Sequence, residues 1–212
     1  MRARLAMAFA VSVFVTVPVA CVASSLERLR NDKVAVTEVT LAPGETEAAP
    51  EKLPSLMIYM TDGMVLNGTV RNSTEPRRVA KGEIAGLPAA MPAIRNMGSA
   101  PLDFVRVEFL TNGSDETWGK TGLAPSYAVL HEDRFARTYL IKIPAGAFEP
   151  QHTHHDRVVV CLSGAELEHI LPDGTKQPST LKTGEVVWRS GATHVGHNLG
   201  HTDLWVIAVE PK

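Results

Sequence analysis

Gly146-Ala-Phe-Glu-Pro-Gln-His152-Thr-His154-His-Asp-Arg157-Val-Val-Val-Cys161-Leu162-Ser-Gly164 is the stretch that decides how this chain reads. It opens on a Pro144-Ala145-Gly146 turn signal, sets two histidines at i and i+2, and continues into a β-branched run closed by glycine, which is strand chemistry bounded by turns. Side chains at i and i+2 of a strand leave the same face, so both imidazoles can converge on one ion, while His155 is turned to the opposite face. Further on, Gly191-Ala-Thr-His194-Val-Gly-His-Asn198 supplies a third histidine in a similar setting. Three neutral imidazoles from two strands form a facial set that leaves coordination positions open for a substrate or O₂.

Outward from this stretch the pattern stays that of short strands. Arg137 to Ile143, Arg157 to Leu162, Glu185 to Arg189 and Leu204 to Val209 are β-rich runs separated by turns such as Pro172-Asp173-Gly174 and Thr183-Gly184. No long helix-period pattern with caps appears, so an all-β fold is expected. The first half repeats the second in worn form. Asn31-Asp32-Lys33-Val34-Ala35 lies over Glu132-Asp133-Arg134-Phe135-Ala136, and Leu56 to Gly63 over Arg157 to Gly164. Lys81-Gly82-Glu83 matches Thr183-Gly184-Glu185, and Asn96-Met97-Gly98 matches Asn198-Leu199-Gly200. The expected organisation is a unit over 31–110, a Gly/Ser/Thr/Asp-rich linker over 111–131 and a second unit over 132–212.

Residues 1–23 read as a secretory signal peptide. Arg2 and Arg4 precede an apolar run from Leu5 to Ala20, and small residues follow up to an expected cleavage after Ala23. The mature protein is thus expected to be periplasmic or secreted and free of the membrane; a lipoprotein anchored through Cys21 is the alternative. Loss of Arg2 and Arg4 moves the net charge from −2 to −4 and leaves Cys161 as the single cysteine, so no intrachain disulfide can form. With 21 Lys+Arg against 23 Asp+Glu and no basic run interleaved with aromatics, nucleic acid is not an expected partner. The 44% hydrophobic content is enough for a real core.

The two histidine stretches resemble the paired motifs of the cupin superfamily. Gly146, His152, His154 and Gly164 fall on the first motif; Gly184, Gly191, His194 and Asn198 fall on the second, with Ser190 where proline is common. The resemblance implies tandem jelly-roll β-barrels, a metal site at His152, His154 and His194, and a degenerate first barrel. It also exposes a departure. The glutamate that usually completes such a site falls at Arg157, so the site is a three-histidine one, or Asp156 swings in, or Arg157 orients an anionic substrate. The first-half counterparts of the histidines fall near Pro50, Lys52 and Pro92, none an ordinary ligand.

The function expected from these residues is a metal-dependent, dioxygenase-like enzyme acting on a small organic molecule through a divalent transition metal. Fe(II) stands first, with Mn, Ni, Cu or Zn as alternatives, and Arg157 is the catalytic candidate. A ligand-binding or sensing module is the second reading. Isomerase-type chemistry, with His155 or His197 as base, is the third. A homo-oligomer is left open. His131, His169 and His201 read as solvated or peripheral, Cys161 as buried and inert, and Phe148, Tyr139 and Trp188 as core.

Overall fold

The computed structural model describes residues 23–47, 53–67, 75–87 and 93–212. The expected signal segment lies outside the described residues except for Ala23, as do Cys21, Pro50, Lys52 and Pro92. The first half contributes β1 (Ser24–Arg30), β2 (Val34–Leu41), β3 (Thr46–Glu47), β4 (Ser55–Tyr59), β5 (Gly63–Asn67), β6 (Arg77–Val79), β7 (Ile84–Leu87), β8 (Ile94–Asn96) and β9 (Leu102–Phe109). The second half contributes β10 (Ala128–Glu132), β11 (Ala136–Ile143), β12 (His152–His154), β13 (Arg157–Ser163), β14 (Ala165–Ile170), β15 (Lys176–Leu181), β16 (Val186–Arg189), β17 (Ala192–Asn198) and β18 (Leu204–Pro211). Among the described residues there is no helix.

Each half folds into the same pair of antiparallel sheets. The five-stranded sheets run β1-β2-β9-β4-β7 and β10-β11-β18-β13-β16; the four-stranded ones run β3-β8-β5-β6 and β12-β17-β14-β15. Strand for strand, the second topology copies the first, so the chain is two jelly-roll barrels in tandem. Glycines at the repeated turns explain part of the shared pattern: Gly44 and Gly146 hold φ of 79° and 72°, a region open to glycine at little cost. Gly164 answers a different need. A Cβ there would lie 2.2 Å from the Leu181 carbonyl oxygen.

Alternation along the strands sorts apolar side chains into three clusters. One fills the first barrel around Val39, Met57, Tyr59 and Phe104. Another fills the second around Tyr139, Val159, Cys161 and Val206. The third joins the halves: Val36, Leu56, Ile58, Val105 and Val107 of one five-stranded sheet pack with Val158, Val160, Leu162, Ile207 and Val209 of the other. The β13 run Val-Val-Val-Cys-Leu is therefore apolar on both faces because one lines its barrel and the other the junction.

Register corrects the sequence alignment of the repeat by one residue. Ile58 pairs with Val105 as Val160 pairs with Ile207, so the counterpart of Arg157 is Ser55, not Leu56. A one-residue slip exchanges the faces of a strand, and it matters here because Arg157 points inward. The first unit also reaches back before residue 31 through β1, and β10 begins inside the stretch read as linker. Phe148, read as core, is 62% exposed and stacks on His197 at 3.6 Å between ring centroids.

Candidate metal centre

The edge strand β12 carries His152 and His154 on one face, and β17 pairs with it so that His194 stands directly opposite His152. Register alone thus brings the three imidazoles into one barrel interior, where they are 4%, 4% and 5% exposed. Their ligand atoms all lie within 4.8 Å of one another, the only group of three or more His, Cys, Asp or Glu side chains so placed among the described residues. His152 Nε2 and His154 Nε2 are 2.9 Å apart.

The surrounding hydrogen bonds fix what those two nitrogens carry. His152 Nδ1 lies 2.8 Å from the Pro150 carbonyl, which can only accept, so Nδ1 holds the proton and Nε2 a lone pair. For His154 the chain of contacts is longer. Arg137 and Glu210, fully buried and paired across β11 and β18, donate and accept through Arg137 Nε and Nη2. Glu210 also accepts from Tyr139 Oη at 2.9 Å and from the His155 amide at 3.0 Å. Having given its proton to this carboxylate, Tyr139 Oη accepts from His154 Nδ1 at 2.6 Å. His154 Nε2 is therefore also a bare lone pair.

Two facing lone pairs at 2.9 Å need a cation between them. A proton is disfavoured: burial first, and then the Arg157 guanidinium, push the His154 imidazole far below the usual histidine range. Burial lowers His152 as well and takes His194 down to about 3, His169 adding to the latter. Neutral imidazoles held by hydrogen bonds on their far nitrogens are suitable ligands for a metal ion, which the cluster could hold.

Arg157 enters the same cavity from β13. It is 6% exposed, its Nη1 reaches the carbonyls of His155 and Ser190 at 3.3 Å, and its buried Nε has no protein partner. Its cross-strand partner Arg189 also lines the cavity. The space is about 50 Å³ and is walled by aliphatic side chains including Ile141, Val159 and Leu167, with Tyr127, Glu149 and His169 also lining it. Asp156, one of the readings for a fourth ligand, is engaged elsewhere: Oδ1 accepts from the Gly191 amide and Oδ2 meets Lys33.

Several groups here escaped the sequence reading. Tyr127, in the stretch read as linker, places its Oη 2.7 Å from Glu149 Oε2 and 3.1 Å from His152 Nε2. Burial raises the Glu149 carboxyl to about 7, the bond from Tyr127 opposing this, and its Oε1 has no protein partner. The available signal was Glu47, its counterpart in the first half. Glu47 sits opposite Ile94 as Glu149 sits opposite Gly196, and it pairs with Arg106 through two hydrogen bonds of 2.7 and 2.5 Å. In the second barrel Ala208 replaces that arginine, and Gly196 leaves room where a Cβ would fall 2.7 Å from Glu149 Oε2. His169, read as peripheral, stacks on His194 at 4.4 Å and is lowered to about 4, chiefly by burial. His155 faces away and stacks on Trp118 at 4.2 Å.

Asn198 of the second histidine stretch is a scaffold residue. Its amide donates to the carbonyls of Ile143 and Thr202 and accepts from the Gly200 amide, and Asn96 makes the same three bonds in the first barrel.

No protein-family model matches the chain. No curated protein matches it either. Solved structures do. A cupin 2 conserved barrel domain protein from Leptotrichia buccalis aligns with 93% of this chain and 92% of its own at TM-score 0.58 and 14% identity. AerE from Microcystis aeruginosa aligns over 90% and 97% at TM-score 0.58 and 13% identity. Oxalate decarboxylase from Bacillus subtilis, with Mn(II) centres, aligns over 89% and 72% at TM-score 0.56 and 12% identity. At such identities the likeness is one of architecture, and with the repeated sheets it establishes that this chain has the tandem cupin fold.

Proposed function

We propose that the protein is a metal-dependent, dioxygenase-like enzyme whose substrate is a small carboxylate, acting through a divalent metal held by His152, His154 and His194. The observation that carries the reading is the pair of unprotonated Nε2 atoms facing each other at 2.9 Å beside a buried arginine. A bound Fe(II), or Mn, Ni, Cu or Zn, would supply Lewis acidity and, for the redox-active ions, a site for O₂. The chain's own groups do the rest. Arg157 offers its Nε to an anionic oxygen, and a guanidinium already drawn out of water loses little more in doing so. The aliphatic walls exclude water, and a cavity of about 50 Å³ restricts the substrate to a few heavy atoms.

Isomerase-type chemistry is the second reading, favoured by Glu149. Of the two bases considered for it, His155 stacks outward on Trp118 and His197 on Phe148. Glu149, poised at about 7 within the cavity, fits that role.

Export is part of the proposal. The Arg2/Arg4 start, the apolar run and the small residues before Ser24, where β1 begins, support it. N-terminal sequencing of protein recovered from a periplasmic extract would start at Ser24; protein retaining residue 1 in the cytoplasm would contradict it.

The test of activity is oxygen consumption by Fe(II)-loaded protein over a panel of small 2-oxo and 2-hydroxy acids, diketones and thiols. Uptake with a carboxylate, with KM raised at least tenfold in Arg157→Met and kcat less affected, supports the reading. Proton exchange without uptake would favour isomerisation, and thermal stabilisation without turnover would favour a binding module.

A further inference from the structure

The segment 111–131 is built as a strap across the second barrel. Arg137 Nη1 donates to the carbonyls of Gly119 and Thr121 at 3.1 and 2.9 Å, and Glu132 accepts from the amides of Trp118 and Gly119. The Thr153 amide on edge strand β12 donates to Gly122 at 2.7 Å. These bonds hold Tyr127, 2% exposed, over the histidine cluster.

Tyr127 has one proton and two neighbours. The nearer is Glu149 Oε2 at 2.7 Å; the other is His152 Nε2 at 3.1 Å, already shown to be a bare lone pair. With its proton turned to Glu149, Oη presents a lone pair to Nε2 across 3.1 Å. That is nearly the separation of the two imidazole nitrogens. Donor atoms each about 2.1 Å from a shared ion, at roughly right angles, stand about 3 Å apart. Oη thus occupies the relation to His152 Nε2 that His154 Nε2 occupies.

We infer that Tyr127 is a fourth protein ligand of the metal centre, an oxygen donor delivered by the strap between the barrels. The inference rests on the proposed metal site. Binding of an ion would exchange the Oη–H bond for an Oη–metal bond, the proton passing to Oε2 of the Glu149 carboxylate. The tyrosinate then offsets the positive charge that Arg157 brings to the cavity. It also supplies the anionic ligand that is missing at position 157. Glu149 is the positioning residue in this scheme: it takes the proton and touches no ligand position itself.

The test is optical and needs no turnover. The mature protein is loaded with Fe(III) or Cu(II) alone, and metal content is measured alongside the visible spectrum. The expected result is one bound metal with a tyrosinate-to-metal charge-transfer band whose resonance Raman spectrum shows tyrosinate ring modes. Tyr127→Phe should abolish the band while retaining metal on the histidines, and Tyr59→Phe, in the core of the first barrel, should keep it. The Raman measurement on the unaltered protein stands even if Tyr127→Phe fails to fold. One equivalent of metal without the band or the ring modes overturns the inference and leaves the three-histidine site intact. Absence of bound metal overturns both.

Discussion

Burial of the imidazoles should make the metal-free protein acid-labile. His194 and His169 have folded values of about 3 and 4 against 6.5 when solvated, so the unfolded chain takes up their protons first as pH falls. For a group whose folded value is depressed, the stability is present above 6.5 and is lost progressively toward the folded value. At pH 5 each is 1.5 units below 6.5, which at about 1.4 kcal/mol per unit gives a loss of about 2 kcal/mol per histidine. His152 and His154 act in the same direction. Glu149 opposes them: raised from 4.5 to about 7, it holds its proton in the fold up to about pH 7, and its contribution falls by about 2 kcal/mol as pH rises from 5 to 7.5. The assay is urea unfolding of chelator-treated protein at pH 7.5 and pH 5. His194→Gln should reduce the acid loss by about 2 kcal/mol, and Glu149→Gln should increase it by about 2 kcal/mol. Variants whose loss between the two pH values equals that of the unaltered protein would refute the assignment to this cavity of neutral imidazoles and of a carboxyl that is protonated at pH 5 and ionised at pH 7.5.

Glu210→Gln leaves Arg137 buried without its counter-charge and should cost roughly 3–5 kcal/mol in urea unfolding. Because Tyr139 would lose the acceptor that sets the His154 tautomer, metal affinity measured by competition with a chelator should also fall roughly 10–100-fold. Asn96→Ala and Asn198→Ala each remove three hydrogen bonds of a fully buried asparagine at equivalent corners of the two barrels, and each should lower stability by about 2–4 kcal/mol. Unequal losses, with one close to zero, would show that the two corners are not mechanically equivalent.

The residues that were legible in advance are those whose chemistry and position are both local. His152 and His154 declare a shared strand face by their spacing, and the β-branched run after Arg157 declares a strand with two covered faces. His194 could be nominated from its glycine and asparagine neighbours, although its placement opposite His152 is a matter of register. Other features depend on contacts remote in sequence. Arg137 and Glu210 meet across β11 and β18 and set the His154 tautomer, yet neither looks unusual where it stands. Tyr127 sits among glycines and polar residues that read as a connector, and only the bonds to Arg137, Glu132 and Thr153 turn that connector into a wall of the site. Glu149 lies in a Glu-Pro-Gln turn whose interior direction depends on Gly196 across the sheet. The one-residue slip in aligning the repeat has the same origin. Apolar runs covered on both faces carry no alternation to fix their register.

The most direct test of the account is metal titration of the purified, chelator-stripped protein by calorimetry with mass-spectrometric stoichiometry, beside a His152→Ala/His154→Ala variant. One tightly bound divalent transition metal per chain in the unaltered protein, absent from a variant that remains folded, is the expected result. Folded protein that binds no such ion, or a variant that binds it equally well, would contradict the claim that the facing imidazole lone pairs form a metal site.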